Sequence, residues 1–214
     1  MQRYLIKLNS TRPFAQQIIF VLCVFFLFAL PVLPALPNYV PRILLSLLIV
    51  FSLVALDKLR TRLVVFAVLV ILIGWISKLY TYIALEYLTE FSTNLFLFWM
   101  VGSGIQRMML LKEVFLHNLI EAVNGFLLLG IAFASLTVVL QKHFPLSYVS
   151  NHINITAKDL IYYTIITLTT TGYGDILPNT PAAKDLASII AISGQFYVAV
   201  IMAIMVGKYA NQKK

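Results

Sequence analysis

Thr167-Leu168-Thr169-Thr170-Thr171-Gly172-Tyr173-Gly174-Asp175 is the stretch that decides how this chain is read. A ring of backbone carbonyls can replace the hydration shell of a cation, built from one such loop on each of four subunits or repeats. Aiming several successive carbonyls at one axis demands backbone angles that a Cβ resists, and Gly172 and Gly174 stand where that freedom is required. Tyr173 between them packs outward and holds the loop open. At the inner end the Thr170 hydroxyl adds a side-chain oxygen to the carbonyl ladder. Alone, G-Y-G-D is no more than a turn signal, so its flanks have to supply the specificity.

Those flanks resemble the pore of the potassium channel family. Its T-x-x-T-x-G-Y-G pattern is met by Thr167, Thr170, Gly172, Tyr173 and Gly174, and the similarity continues into Asp175 and Pro178 after the filter and into Tyr162 and Tyr163 before it. Thr171 departs from the pattern, standing where the family most often has valine or isoleucine packed behind the filter. The resemblance implies potassium held at Thr170, Thr171, Gly172 and Tyr173, with Gly174 completing the ladder. It also implies support from Thr167, Tyr163 and Asp175, with the Tyr163 hydroxyl donating to the Asp175 carboxylate. No cofactor is expected beyond the permeant ion.

Composition places this loop in a membrane. Hydrophobic residues make up 61% of the 214 and charged residues 11%, the mean hydropathy is +0.92, and the apolar residues come in runs long enough to span a bilayer. Six spans are expected, at about Gln17 to Leu33, Tyr39 to Leu56, Leu63 to Leu79, Phe91 to Leu110, Ala122 to Leu140 and Asp185 to Gly207. The fold class is therefore an all-α membrane protein with a re-entrant pore helix and filter between the fifth and sixth helices.

The basic residues agree with that count. Short cytoplasmic loops accumulate Lys and Arg. Here Arg3, Lys7 and Arg12 precede the first span, Lys58, Arg60 and Arg62 separate the second and third, Arg107 and Lys112 follow the fourth, and Lys208, Lys213 and Lys214 follow the sixth. All four clusters fall on one side, and the other side holds Arg42, Lys78, Lys142, Lys158 and Lys184. Both termini are thus expected in the cytoplasm of a plasma (inner) membrane, with the filter facing outward. Topology accounts for the net charge of +8, and nucleic-acid binding has no soluble domain to occupy.

Several smaller signals are set aside. The first apolar run has basic residues before it and Ala29 and Ala35 near its end, but it is long for a signal peptide and prolines interrupt the cleavage region. Cys23 is the single cysteine, so it forms neither an intrachain disulfide nor a thiolate pair, and it is expected to pack. His117, His143 and His152 lack a second ligand at metal spacing, which leaves surface or interface roles. Asn154-Ile155-Thr156 is a weak glycosylation sequon.

Before the filter, Thr156 with Asp159 three residues later resembles a capping box and opens a helix from about Ala157 to Thr169. Its carboxyl end carries partial negative charge, and four such ends around a water-filled cavity stabilise a cation at the membrane centre. After the filter, Pro178 and Pro181 end the outer turn and the last span begins. Gly194 stands where the family commonly has a gating hinge. A mid-helix glycine costs roughly 1 kcal/mol relative to alanine, so it serves either bending or close helix contact. The hinge reading, with its remoteness from the filter, predicts that Gly194→Ala changes opening but not selectivity. Gln195 is expected to hydrogen-bond between helices.

In voltage-gated relatives of the six-span type the fourth helix carries regularly spaced arginines, whereas Asn94 to Gln106 has none. The organisation expected is a four-helix bundle over residues 1–106, an interfacial linker helix over 107–121 and a pore domain over 122–214. The chain runs only a few residues beyond Gly207, so nucleotide or calcium gating is expected to require a separate regulatory subunit. With one filter per chain, the pore is expected to be a homotetramer in a lipid bilayer. The functional expectation is a prokaryotic-type, potassium-selective channel that is not strongly voltage-gated, and not an enzyme. The alternatives are a silent or regulatory channel subunit and a weakly selective cation channel.

Overall fold

The computed structural model of the protein describes residues 14–33, 40–55, 61–80, 83–110, 116–150 and 154–212. Arg3, Lys7, Arg12, Lys58, Arg60, Lys112, Lys213 and Lys214 lie outside the described residues, as do His152 and the centre of the expected linker helix, 111–115.

Seven helices are described. They are α1 (Phe14–Val32), α2 (Val40–Val54), α3 (Thr61–Tyr80), α4 (Ile83–Leu110), α5 (Leu116–His143), α6 (Ala157–Leu168) and α7 (Pro181–Gln212). Among the described residues, three segments are long and apolar enough to cross a membrane: Phe14–Val32, Asn118–His143 of α5 and Pro181–Ala210 of α7. The apolar stretches Val40–Val54 and Val64–Ser77 are shorter, and the 28-residue α4 carries Glu86 in its first turn and Arg107 in its last. In α1 the turn Phe25–Ala29 widens to π geometry, with the Leu30 N–H donating to Phe25 O. Pro31 has no N–H to return to the preceding turn, and the wider winding accommodates that missing donor.

Contacts at the two ends of the bundle show that successive long helices run antiparallel. At the end bearing the filter, Arg42 Nη1 donates to Gly74 O at 2.7 Å, Lys142 pairs with Glu86 and Glu90, and Lys158 Nζ donates to Leu33 O at 2.7 Å. At the opposite end, Arg107 donates to Ala55 O at 2.8 Å and pairs with Glu121 at 3.1 Å, and Lys208 Nζ donates to Met109 O at 2.7 Å. Arg107 and Glu121 are largely buried, so each offsets the desolvation of the other.

Helix α5 is the centre of the fold. Its Ile131, Ala132, Phe133 and Ala134 meet Ile19, Cys23 and Leu27 of α1 and Leu97 and Val101 of α4 in one apolar cluster. Cys23 is wholly buried there and acts as a packing group. At the start of α5, Asn124 Nδ2 donates to both the backbone and side-chain oxygens of Gln16, satisfying buried polar groups that would otherwise be costly. Only 22% of the apolar window of α7 is buried, against 56% for α5. The last helix therefore leaves most of its surface uncovered by its own chain.

The structure is not purely helical. Strands β1 (Tyr148–Ser150) and β2 (Ile176–Pro178) pair antiparallel, Tyr148 opposite Pro178, Val149 opposite Leu177 and Ser150 opposite Ile176. Hydropathy does not reveal so short a pair, because its partners are joined across α6 rather than by a local turn. Leu146, at φ 68, redirects the chain after α5, and Ser147 O then accepts the Asn179 N–H at 2.8 Å.

Candidate functional site

The site is assembled at the carboxyl end of α6. Asp159 closes the start of that helix, its Oδ2 accepting from the Thr156 N–H at 2.8 Å and from the Thr156 hydroxyl at 2.7 Å. The reciprocal capping box expected from the sequence is present. One face of α6 is anchored by Leu160 and Tyr163, which pack with Tyr148, Ile176 and Ala183. The Tyr148 and Tyr163 rings lie 5.0 Å apart. Burial pushes the Tyr148 phenol above its ordinary pKa, with the Tyr163 phenol adding to the shift, so Tyr148 remains a neutral wedge. A second anchor is polar, the Thr137 and Thr164 hydroxyls meeting at 2.9 Å between α5 and α6.

From the last turn of α6 the chain reverses. Ile166 O accepts the N–H groups of both Thr171 (2.8 Å) and Gly172 (3.1 Å), and Thr167 O accepts the Thr170 N–H at 3.0 Å. These bonds tether the start of the filter segment to the helix that precedes it. Beyond them Thr170, Gly172 and Gly174 take φ of 57, 53 and 80, while Thr171 and Tyr173 between them stay at negative φ. In an ordinary strand successive carbonyls point to opposite sides. Inverting the handedness at every second residue turns them toward a common side, which a carbonyl ladder needs. Glycine takes that conformation freely. Thr170 does not, since a positive φ at a β-branched residue is an outlier that surrounding contacts must hold in place.

The five residues Thr170 to Gly174 are all exposed, and Tyr173 is 72% so. Beside them α7 and Thr170 form an open groove lined by Ala191, Ile192, Gln195, Phe196 and Ala199. A carbonyl row on one chain can face a cation from one side only, so enclosing the ion takes further copies of the row.

A family model matches the same region. Residues 136–211 fit a family model described as ion channel, and a 50-residue segment is 40% identical to the A-type voltage-gated potassium channel KCND3 of rat and of human. In this region the chain is similar to potassium channels. The 50-residue match covers 23% of this chain and 8% of the length of each of these relatives. No solved structure matches the chain.

Around this segment, the structure places the expected support residues unequally. Thr167 Oγ1 donates to Tyr163 O at 2.8 Å, and the Tyr163 phenol lies with Thr167 rather than with Asp175. The aromatic that hydrogen-bonds Asp175 is Tyr162. Tyr163 faces the buried cluster beside Tyr148, whereas its neighbour, one residue away on the helix, turns to the exposed side. The expected Tyr163–Asp175 bond is therefore corrected to Tyr162–Asp175. Thr171 directs its hydroxyl to that of Thr169 at 3.0 Å, a bond that valine or isoleucine cannot make.

Gly194 is not remote from the filter. A Cβ there would fall on the Leu168 carbonyl oxygen, 2.9 Å from the Leu168 carbonyl carbon and 3.1 Å from its Cδ1. Leu168 also leans on α5, its Cδ2 being 3.5 Å from where a Cβ on Gly130 would sit. The last residue of α6 is thus seated between two glycine notches, and α7 lies directly against it. One residue on, Gln195 Nε2 donates to Thr170 Oγ1 at 3.1 Å. The expected interhelical bond of Gln195 is replaced by one to Thr170 of the loop. Of the histidines, His143 stacks on Tyr87 with ring centroids 4.1 Å apart and meets Glu90 Oε2 at 3.0 Å.

Proposed function

We propose that four copies of this chain form a potassium-selective channel that conducts the ion passively across the plasma membrane. The observation that carries this reading is the alternation of left-handed backbone at Thr170, Gly172 and Gly174 in a run of exposed residues, set on the carboxyl end of α6. That end contributes partial negative charge beneath the ladder. Potassium would be held at Thr170, Thr171, Gly172 and Tyr173, with Gly174 at the outer rim.

In this reading α1, α2, α3, α4, α5 and α7 are the six spans, and α6 is the re-entrant pore helix, permitted within the membrane because protein surrounds it. The antiparallel succession of the long helices and the one-sided basic clusters support six crossings with both termini in the cytoplasm. Residues 1–106 form the bundle, 107–121 the linker and 122–214 the pore domain. The uncovered surface of α7 and the exposed Tyr173 are where neighbouring subunits pack. Opening is at most weakly voltage-dependent, because Arg107 is held by Glu121 and by Ala55 O. The ion channel family model over residues 136–211 supports this reading, and no catalytic activity is proposed.

Purified protein in planar bilayers tests this directly. A potassium gradient with sodium substituted on one side should give a reversal potential close to the potassium equilibrium value. Reversal near zero assigns the chain to the weakly selective cation channels, and absence of current from the protein alone assigns it to silent or regulatory subunits.

A further inference from the structure

The inner end of the ladder leans on a residue of α7 that lies outside the filter pattern. Thr170 has the left-handed φ of 57 that its branched side chain resists, so its conformation depends on outside contacts. Its N–H is tied to Thr167 O at 3.0 Å. Its hydroxyl oxygen receives the Gln195 side-chain amide at 3.1 Å, across a groove whose other lining residues are Ala191, Ile192, Phe196 and Ala199. Those neighbours offer no competing donor or acceptor side chain. Gly194 brings α7 close enough for the bond to form, because anything larger there meets Leu168.

We propose that Gln195 is a positioning residue for the innermost potassium site, fixing the Thr170 hydroxyl oxygen at the mouth of the ladder. This rests on the channel reading above. A threonine hydroxyl has one donor hydrogen and two acceptor lone pairs. With one lone pair engaged by the Gln195 amide, the other is left in a single direction for the cation. In a tetramer the same bond made four times sets the diameter of the threonine ring. Without it each hydroxyl rotates about χ1, and the ring accommodates a smaller cation more readily. Gln195 touches Thr170 and not the ion, so its effect is on the geometry of the site.

Full-length protein in planar bilayers supplies the test, with Gln195→Met, which keeps the length and removes the donor, and Gln195→Asn, which keeps an amide one methylene too short. Each is expected to lower the potassium-to-sodium permeability ratio by about fivefold, the scale of one net hydrogen bond. The melting temperature of the purified assembly should stay close to wild type, since Gln195 is exposed within its own chain. A wild-type ratio in the Met variant overturns the proposal, as does a wild-type ratio in the Asn variant, since the short amide then serves as well. A loss of selectivity that tracks a large fall in melting temperature also overturns it, because general loosening then accounts for the change. A wild-type protein that passes no potassium current overturns the channel reading itself, which keeps the two failures distinct.

Discussion

Replacing Gly194 by alanine separates a hinge from a seat. A hinge glycine supplies flexibility, so alanine there stiffens α7, gains roughly 1 kcal/mol of helix propensity and alters opening while leaving selectivity intact. The structure predicts otherwise. The new methyl would coincide with the Leu168 carbonyl oxygen, and backbone cannot swing aside as a side-chain tip can. Relief requires α7 and the end of α6 to part by about an ångström, the difference between overlap and ordinary carbon contact. Overpacking of this kind costs about 1–3 kcal/mol, which offsets the propensity gain and leaves a net change between nil and about 2 kcal/mol destabilising. The displacement matters more than the energy. Leu168 is two residues from Thr170, and Thr167 O and Ile166 O hold the N–H groups of Thr170, Thr171 and Gly172. Any shift of that turn is therefore passed to the ladder, and the Gln195–Thr170 bond lengthens with it. Gly194→Ala should lower the potassium-to-sodium permeability ratio in reversal-potential measurements, alongside a melting temperature that is unchanged or modestly lower. A variant with altered open probability and wild-type selectivity would refute the seat and restore the hinge.

Tyr162→Phe removes the phenol that meets Asp175 and should speed the decay of current during sustained opening, whereas Tyr163→Phe should not; equal effects from both substitutions would count against the assigned partner. Arg107→Gln should leave the slope of the conductance–voltage curve unchanged, because a charge fixed at one end of the bundle crosses little of a field worth about 2.3 kcal/mol per charge per 100 mV. The same variant should lower unfolding stability by about 3–5 kcal/mol, the cost of leaving Glu121 buried opposite a neutral group. A flattened voltage curve with unchanged denaturation would reverse both conclusions.

The left-handed turns of the loop were legible in the chain because they are written into backbone chemistry. Gly172 and Gly174 occupy positions where the required φ is positive, and few sequences other than T-x-G-Y-G serve that need. The cap of α6 was equally plain, since Thr156 and Asp159 interact across a fixed local spacing. The apolar runs, likewise, declared the membrane through composition alone. What the sequence left open depends on residues far apart in the chain or on which way a helix is turned. Tyr162 and Tyr163 are adjacent and chemically identical, so only the packing of α6 against Tyr148 and Ala183 decides which one reaches Asp175. Hinge and seat look alike at Gly194 because both call for the absence of a side chain, and the Leu168 carbonyl that distinguishes them is supplied by another helix. Gln195 and Thr170 lie 25 residues apart. They meet because α7 folds back under the filter, a fact about tertiary packing that no local periodicity contains.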